Sequence, residues 1–318
     1  MSKLLRLLVA ASGLSELDVR TIIVTAPSRY KTYTIPKRSG GERTISQPAR
    51  EVKFLQRIFM EEVLAKLPVH IAATAYCQGA SIKDNAAAHA GGGAILKLDF
   101  KDFFPSIVAA DWEKYCKTHP VFDDENDVRL SANLLFSRSK FGSVLRLAIG
   151  APSSPALSNI LMAGFDARIS EAVAKDRVTY TRYADDLTFS ARRAGNLSGV
   201  IRTVRRIMRE TESPSLRLNE EKTVLATKKF RRVVTGLVLA DDGAVSLGRE
   251  RKREIRATLH RFTLGRLDAT ATAHLAGLLA FVNAVEPAFL SRLAERYGGD
   301  SIQRVKAGLP PRVPQNGY

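Results

Sequence analysis

The sequence predicts an α+β fold in which an antiparallel sheet is backed by helices. Two short runs rich in β-branched and aromatic residues predict a β-hairpin over residues 179–190, and residues 94–99 read as an apolar strand. Amphipathic helices are predicted on either side of the hairpin, over residues 155–174 before it and 197–209 after it. A strand, helix, hairpin and helix in this order place neighbouring strands in one sheet and leave the helices to cover it.

The predicted hairpin and strand both carry acids where they turn. Asp185 and Asp186 lie at the hairpin tip, and Asp99 ends the apolar strand. Adjacent carboxylates repel each other, and Mg²⁺ compensates them because it is a hard cation that takes carboxylates and substrate phosphates. Two-metal phosphoryl transfer needs a further carboxylate nearby, which Asp99 offers. An Asp-Asp pair alone would more often be a solvated turn, but the second acidic strand end favours a metal site.

Five motifs in order along the chain resemble those of reverse transcriptases, and among them the bacterial retron group. Residues 183–186 (Tyr-Ala-Asp-Asp) and 98–104 resemble the two metal-binding motifs. Residues 85–89 resemble the retron NAxxH motif, 234–236 the VTG motif, and 150–155 the template-contacting SP motif. The agreement in order and spacing runs from about residue 20 to the C-terminus.

The resemblance implies a right-hand polymerase with fingers, palm and thumb. We expect fingers over residues 1–92, a palm over 93–247 with a fingers insertion around 112–147, and a thumb over 248–318. The palm would hold the antiparallel sheet and its helices, and the thumb would be helical.

The resemblance also implies roles for four catalytic residues. Asp99 and Asp185 would be the principal ligands of two Mg²⁺ ions, with Asp186 a weaker third ligand. One ion lowers the pKa of the primer hydroxyl and the other steadies the pyrophosphate leaving group. Lys222 would protonate or neutralise that pyrophosphate; a plain surface lysine is the alternative.

Binding of the dNTP is expected from residues outside the acid motifs. Lys37 and Arg43 flank a Gly-Gly turn, where cations can grip a triphosphate, although such a turn is also common as a solvated hairpin tip. By resemblance they match the hairpin that holds the incoming nucleotide, and Ser154 of the SP motif is a further nucleotide contact. Ile149 departs from the family, which usually has Gln there, so nucleotide affinity and fidelity become open questions while the metal ligands stay intact.

Two aromatic residues follow Asp99. By resemblance Phe104 packs under the sugar and excludes a 2′-hydroxyl, and Phe103 is a core residue. The alternative is that both rings belong to the core. Pro105 restricts the backbone of Phe104 and so favours a fixed ring.

The charge balance indicates a polyanionic partner. The chain has 49 basic and 32 acidic residues, a net charge of +17. Two basic clusters stand out, residues 228–232 and a helix after Gly248. The residues predicted to contact RNA or DNA are Asn85, His89, Val234, Thr235, Gly236, Arg249, Arg251, Lys252, Arg253 and Arg256. For Asn85 and His89 a satisfied polar pair at the core edge is the alternative, and for the basic helix a solvated face.

Other parts of the chain yield simpler expectations. Helices are predicted over residues 15–24, 51–67 and 81–89, a solvated acidic loop over 123–127, and a hairpin over 233–247 with a three-residue turn. No run approaches the roughly 18 apolar residues of a membrane span, and no cleavage site follows the N-terminal apolar run, so a cytoplasmic protein is expected. The two cysteines are expected to be free thiols, and the histidines lack zinc spacing.

The resemblance implies an enzyme that copies a structured noncoding RNA into single-stranded DNA from dNTPs. Priming would come from a 2′-hydroxyl within that RNA, which gives a branched RNA–DNA hybrid (msDNA). A role in phage defence with an accessory effector protein is expected, and a host RNase H would remove the template because no RNase H segment is seen after the thumb. The rival interpretations are a group II intron or abortive-infection reverse transcriptase, and a polymerase-like RNA-binding scaffold without catalysis.

Overall fold

The computed structural model describes residues 2–37, 40–139 and 142–310. They form two compact units. The first unit combines the chain up to residue 80 with residues 95–225, and the second combines residues 81–94 with the chain from 226 onward. The division into fingers, palm and thumb stays a prediction, and this boundary after residue 225 lies ahead of the palm–thumb boundary predicted at residue 247.

The elements are numbered in chain order. The helices are α1 (Lys3–Ser12), α2 (Glu16–Thr25), α3 (Arg50–Glu62), α4 (Ile82–Ala88), α5 (Phe103–Ser106), α6 (Ala109–Thr118), α7 (Glu125–Leu135), α8 (Ser153–Leu161), α9 (Ala163–Ala174), α10 (Val200–Glu210), α11 (Arg249–Thr263), α12 (Ala269–Val285), α13 (Pro287–Tyr297) and α14 (Gly299–Lys306). The strands are β1 (Tyr30–Pro36), β2 (Glu42–Pro48), β3 (Ala94–Asp99), β4 (Ser137–Arg138), β5 (Leu145–Arg146), β6 (Thr179–Tyr183), β7 (Asp186–Ala191), β8 (Val224–Thr227), β9 (Arg232–Val234), β10 (Leu237–Leu239) and β11 (Val245–Ser246).

A four-stranded sheet with the order β6-β7-β3-β8 carries the acid motifs. Strands β6 and β7 pair antiparallel, from Thr179 opposite Ser190 to Tyr183 opposite Asp186. Strand β3 is covered on both faces, so its apolar side chains, among them Leu96, are buried. Helix α9 packs against β6 and against α10. The predicted sheet backed by helices is thereby confirmed.

The helix predicted over residues 155–174 is two helices. Helix α8 ends at Leu161 and α9 begins at Ala163, with Met162 between them. Both keep their apolar stripes buried, so the prediction identified the buried face correctly and missed only the interruption.

The predicted acidic loop over residues 123–127 is wrong in its second half. Asp124 caps α7 by accepting a hydrogen bond from the amide of Asn126, and Asp127 lies inside that helix. The Asp127 side chain is 1% exposed, and its Oδ2 accepts a hydrogen bond of 3.0 Å from the amide of Leu4. An acid at the first turn of α1 satisfies an otherwise open amide and complements the helix dipole.

The β1–β2 hairpin belongs to the first unit and contacts the SP-motif region. Ser46 donates its amide to the carbonyl of Ile149 at 2.8 Å. Gly150 has a φ of 119°, and a Cβ there would lie 3.0 Å from Ile45 and 3.1 Å from the carbonyl of Ser46. Only glycine permits this close approach of the two segments.

The second unit contains a three-stranded sheet, α4 and four C-terminal helices. The sheet order is β11-β10-β9, and α4 packs on β10. Ser81 caps α4 in a capping box with Asp84. Helix α11 has a buried apolar stripe, since Ile255, Leu259 and Phe262 are at most 1% exposed.

The hairpin predicted over residues 233–247 contains an additional turn. Thr235 and Gly236 have φ values of 46° and 79°, so the chain reverses between β9 and β10. Positive φ at both central residues is typical of a type I′ turn, for which a following glycine is well suited. The expected three-residue turn then lies between β10 and β11.

Candidate active site

Asp99 is a buried acid at the end of β3, 6% exposed. The ammonium of Lys222 lies 3.0 Å from both of its carboxylate oxygens. The amide of Asn219 also donates to the carbonyl of Asp99 at 2.7 Å, which fixes the segment that carries Lys222 beside the strand end. The structure therefore places Lys222, the predicted catalytic lysine, beside Asp99, the predicted metal ligand.

The hairpin turn consists of two residues, Ala184 and Asp185. Tyr183 pairs with Asp186, so Asp185 occupies the tip and Asp186 is the first residue of β7. Ala184 has a φ of 57°, an unusual conformation for a residue with a Cβ. Phe100 donates its amide to the carbonyl of Asp185 at 3.1 Å, which joins the tip to the end of β3.

Burial and neighbouring negative charge raise the pKa values of Asp185 and Asp186. Burial raises the pKa of Asp185, and the negative charge of Asp99 raises it further. Burial likewise raises the pKa of Asp186 to about 6; Lys97 opposes that rise, while Asp185 and Asp99 add to it. Burial lowers the pKa of Lys222, but its hydrogen bond to Asp99 and the negative charges of Asp99, Asp185 and Asp186 together outweigh that effect, so the pKa is raised overall. The site thus concentrates negative charge that a cation would relieve.

The donor set fits a divalent cation by chemistry. Within the described residues, no three His, Cys, Asp or Glu side chains lie close enough together to form a ready-made metal site. Asp99, Asp185 and Asp186 nevertheless offer only carboxylate oxygens, which Mg²⁺ prefers, and the ammonium of Lys222 provides a positive charge at Asp99.

A buried ionic network holds the hairpin from behind, and sequence reasoning missed it. Arg182 and Asp166 are both 0% exposed and form an ion pair of 2.6 Å. Arg182 also donates to the side-chain oxygen of Asn159 and to the carbonyl of Ala184, each at 3.1 Å. Tyr180 donates to Asp166 at 2.8 Å. The turn is therefore held by charge-assisted hydrogen bonds, which are about twice as strong as neutral ones.

Tyr76 is a second residue near the site that the sequence did not indicate. Its φ is 61°, its ring lies 6.5 Å from that of Tyr183, and 54% of it is exposed. Burial raises the pKa of Tyr76, the charge of Asp185 adds to the rise, and the charge of Arg43 opposes it. The charge of Arg43 also opposes the rise in the pKa of Asp185, so the charge of this predicted nucleotide contact acts on the acidic site.

The remaining predicted nucleotide contacts differ in exposure. Lys37, after β1, is exposed, and its amide donates to Gly41. Phe104 is half-buried, whereas Phe103 is 3% exposed and stacks on Phe100 with ring centroids 5.7 Å apart. Ser154 is 1% exposed, and its hydroxyl has no hydrogen-bond partner among the described residues. A direct contact between Ser154 and a nucleotide would require its surroundings to open.

The NAxxH and VTG motifs lie together in the second unit. Asn85 and His89 are 1% and 0% exposed, and burial lowers the pKa of His89 to about 4. Their burial favours the polar core pair over direct contact with RNA. Val234 is also buried, Thr235 donates its hydroxyl to the carbonyl of Ile82 on α4 at 2.9 Å, and Gly236 is exposed at the turn.

Some cations of the basic helix α11 contact other side chains of the fold, and others are exposed to solvent. The ammonium of Lys252 forms an ion pair of 2.6 Å with Glu286 and lies 5.3 Å from the ring centroid of Phe289. Arg251 lies over Phe281 and Arg256 over Phe289, in cation–π geometry. Arg249, Arg253 and Arg256 are exposed. Lys252 therefore stabilises the helices, and the exposed arginines are the ones available to a polyanion.

The other predicted basic cluster is divided in the same way. Lys228, Lys229 and Arg231 are exposed, but Arg232 is 1% exposed. The guanidinium of Arg232 donates to the carbonyls of Gly92 and Ala240. The interpretation of Arg232 as a surface cation is wrong, because its donors are already satisfied inside the fold.

Both cysteines, Cys77 and Cys116, are free thiols as predicted. Every helix in the described part of the chain is too short or too polar to cross a membrane.

Comparison with known proteins connects this site to a family. Residues 35–254 match the family model for reverse transcriptase (RNA-dependent DNA polymerase). The chain is 37% identical to the retron Ec83 reverse transcriptase of Escherichia coli over 292 residues, which covers 91% of this chain and 94% of that protein. It is 33% identical to the retron Ec86 reverse transcriptase of the same organism, over 93% of this chain and 91% of that protein. The chain therefore belongs to the reverse transcriptases, RNA-directed DNA polymerases with a mixed helix-and-sheet fold, and within them to the bacterial retron group.

Proposed function

We propose that this polymerase copies a structured noncoding RNA into single-stranded DNA at the site formed by Asp99, Asp185 and Asp186. The observation that carries the proposal is the geometry at the end of β3, where the Lys222 ammonium lies 3.0 Å from Asp99 and the amide of Phe100 holds the Asp185 turn. The charge of Asp99 also adds to the raised pKa values of Asp185 and Asp186. Two Mg²⁺ ions are the proposed partners of the carboxylates, and they would supply charge stabilisation for in-line phosphoryl transfer. Asp99 and Asp185 are the principal ligands in this proposal, and Asp186 is the third.

The chain's own residues would orient the substrates around that centre. Lys222, poised at Asp99, would neutralise the leaving pyrophosphate. Arg43 would contact the triphosphate from the β1–β2 hairpin, because its charge already reaches the acidic site. The half-buried ring of Phe104 would lie against the sugar, with Phe103 behind it in the core.

The finer proposals follow from the retron relatives. Priming from an RNA 2′-hydroxyl would give the branched msDNA, and the enzyme would act in the cytoplasm as part of a phage-defence system. An effector protein and a host RNase H complete that proposal. The two rivals make different predictions: an intron-type enzyme would extend an ordinary annealed primer without branching, and a silent scaffold would bind RNA without making DNA.

The test is synthesis of DNA by the purified protein on an RNA template with dNTPs and Mg²⁺. Asp185→Asn keeps the shape of the side chain and removes its charge, so we expect DNA synthesis to fall roughly a thousandfold, as loss of several kcal/mol of metal stabilisation requires. RNA binding should change little.

The matched control is Asp176→Asn, an exposed acid of the same unit, which should retain full synthesis. Undiminished DNA synthesis by Asp185→Asn would refute the site. A wild-type protein that binds RNA and makes no DNA would instead favour the silent scaffold.

A further inference from the structure

The turn between β8 and β9 exposes an aromatic ring. Phe230 is 70% exposed in this turn of the second unit. A phenyl ring gains free energy on leaving water, so an exposed ring is available to pack on a ligand when its neighbours can bind that ligand too.

Both ends of this turn are anchored. The amide of Phe230 donates to the carbonyl of Thr227 at 2.9 Å, which closes the turn. Two residues later, the guanidinium of Arg232 is buried and donates to the carbonyl of Ala240 at 2.9 Å. The ring is therefore presented to solvent by a turn whose neighbours are held in the fold.

Exposed cations flank Phe230 along the chain. Lys228 and Lys229 precede Phe230 and Arg231 follows it, and all three are exposed. Arg231 pairs with Glu250 at 2.9 Å, but the Glu250 side chain is 79% exposed, so the pair contributes little and can exchange for another anion. An exposed aromatic ring in a turn that also carries three exposed cations suits a nucleotide strand, which offers an apolar base between anionic phosphates.

We propose that Phe230 stacks on an unpaired nucleobase of a single-stranded nucleic acid, and that Lys228, Lys229 and Arg231 hold the flanking phosphates. Stacking of bases on aromatic side chains combined with a positively charged track is how proteins bind single strands without reading sequence. The inference deepens the proposed function, because it assigns a nucleic-acid contact outside the carboxylate site and outside the NAxxH, VTG and α11 residues.

The first experiment uses tryptophan fluorescence. The chain has one tryptophan, Trp112, and its side chain is 0% exposed. In Phe230→Trp, a short oligo(U) or oligo(dT) should quench the new fluorescence by stacking, whereas a blunt duplex of equal length should not. The control is Leu17→Trp, since Leu17 is 74% exposed between Glu16 and Asp18 and should show no quenching.

The second experiment measures affinity for the same oligonucleotides by anisotropy, without dNTPs or metal, so that it is independent of DNA synthesis. Phe230→Ala should weaken single-strand binding by roughly 5- to 150-fold, the range expected for one stacked base. Phe230→Tyr should retain binding, because the aromatic face is kept. Stronger quenching by oligo(U) would identify RNA as the ligand, and stronger quenching by oligo(dT) would identify the DNA product.

Quenching that is absent, or equal with the duplex, would overturn the proposal, as would unchanged affinity in Phe230→Ala. Because Phe230 is exposed, the alanine variant should melt like the wild type, which separates lost binding from lost fold. A protein that shows the expected quenching and makes no DNA would keep the Phe230 site and contradict only the proposed synthesis.

Discussion

Two tight hairpin turns, one in each unit, reverse the chain by different physical means. The turn at residues 183–186 places Ala184 at a φ of 57°, and the turn at residues 234–237 places Thr235 and Gly236 at 46° and 79°. The second has a glycine at one of its two positive-φ positions, where positive φ carries no steric cost, and Thr235 at the other. The first uses alanine, for which a left-handed conformation costs about 1–2 kcal/mol.

Their surroundings explain the difference. Behind the first turn, the buried Arg182 donates to the carbonyl of Ala184 and forms an ion pair with Asp166. Behind the second, the side chain of Thr235 donates one neutral hydrogen bond to Ile82. A turn that must present charged, mutually repelling groups is thus stabilised by buried charged partners, whereas the turn without charges relies on Gly236 and on the single neutral hydrogen bond of Thr235. The comparison predicts that the first depends on distant residues and the second on its own sequence.

The largest effect is expected from removing the ionic support of the first turn. Arg182→Met keeps an apolar stem but leaves Asp166 as an uncompensated buried charge, which costs about 3–5 kcal/mol in the free energy of unfolding. Urea unfolding would measure it. The control is Arg168→Met, which breaks an ion pair with Glu210 whose side chains are 42% and 43% exposed and should cost less than about 1 kcal/mol. Equal costs in the two variants would contradict the comparison.

The aromatic residues behind the same site give the next prediction. Phe103 stacks on Phe100, whose amide holds the carbonyl of Asp185, so Phe103→Ala should cost about 3–5 kcal/mol of stability. Phe104 is only half-buried, so Phe104→Ala should cost less and should instead admit ribonucleotides. Thermal melts and single-nucleotide extension with dNTP and rNTP measure both. Acceptance of rNTPs by Phe103→Ala, with rejection retained in Phe104→Ala, would reverse the assignment.

The second unit makes a prediction about pH through His89 on α4. Burial lowers its pKa to about 4 in the folded protein, against about 6.5 in the unfolded chain. Because the unfolded chain binds the proton first, the stability from keeping His89 neutral is present above pH 6.5 and is lost as the pH falls toward 4. The loss should reach about 3 kcal/mol.

Unfolding in urea at several pH values measures that loss. His89→Gln should flatten the dependence between pH 6.5 and 4, because glutamine has no proton to bind. His274→Gln is the control in the same unit, since His274 is exposed and should leave the dependence unchanged. If His89→Gln and the wild type show the same dependence on pH, His89 binds its proton equally well in the folded and the unfolded chain.

The sequence predicted those parts of the site whose signal is local. Asp99 ends an apolar strand, Asp185 lies between two β-rich runs, and the apolar stripe of α11 repeats at helical spacing. Each of these patterns lies within a few neighbouring residues, so periodicity and turn chemistry suffice to find it.

The parts that were missed depend on pairs distant in sequence. Asp127 meets the amide of Leu4, and Arg232 meets the carbonyl of Gly92, so neither partner is visible in a local pattern. One signal could have been used for Arg182: it is the charged residue of β6, whose other residues are threonine and tyrosine, and a charge inside a covered sheet needs a buried partner. Nothing in the sequence near Tyr76 indicated that its ring would lie beside Tyr183.

The smallest effect is expected at the second turn, where the residue type itself supplies the conformation. Gly236→Ala would place a Cβ at a φ of 79° with no atom within 4 Å, so conformational strain alone should act, at about 1 kcal/mol. The matched control is Gly277→Ala in α12, which also has open space around it but lies inside a helix, where alanine is favoured by up to about 1 kcal/mol. The same substitution should therefore lower the unfolding midpoint at residue 236 and raise it at residue 277. If both glycines gain stability on substitution, the second turn is not strained by a Cβ, and its geometry must come from its surroundings as in the first turn.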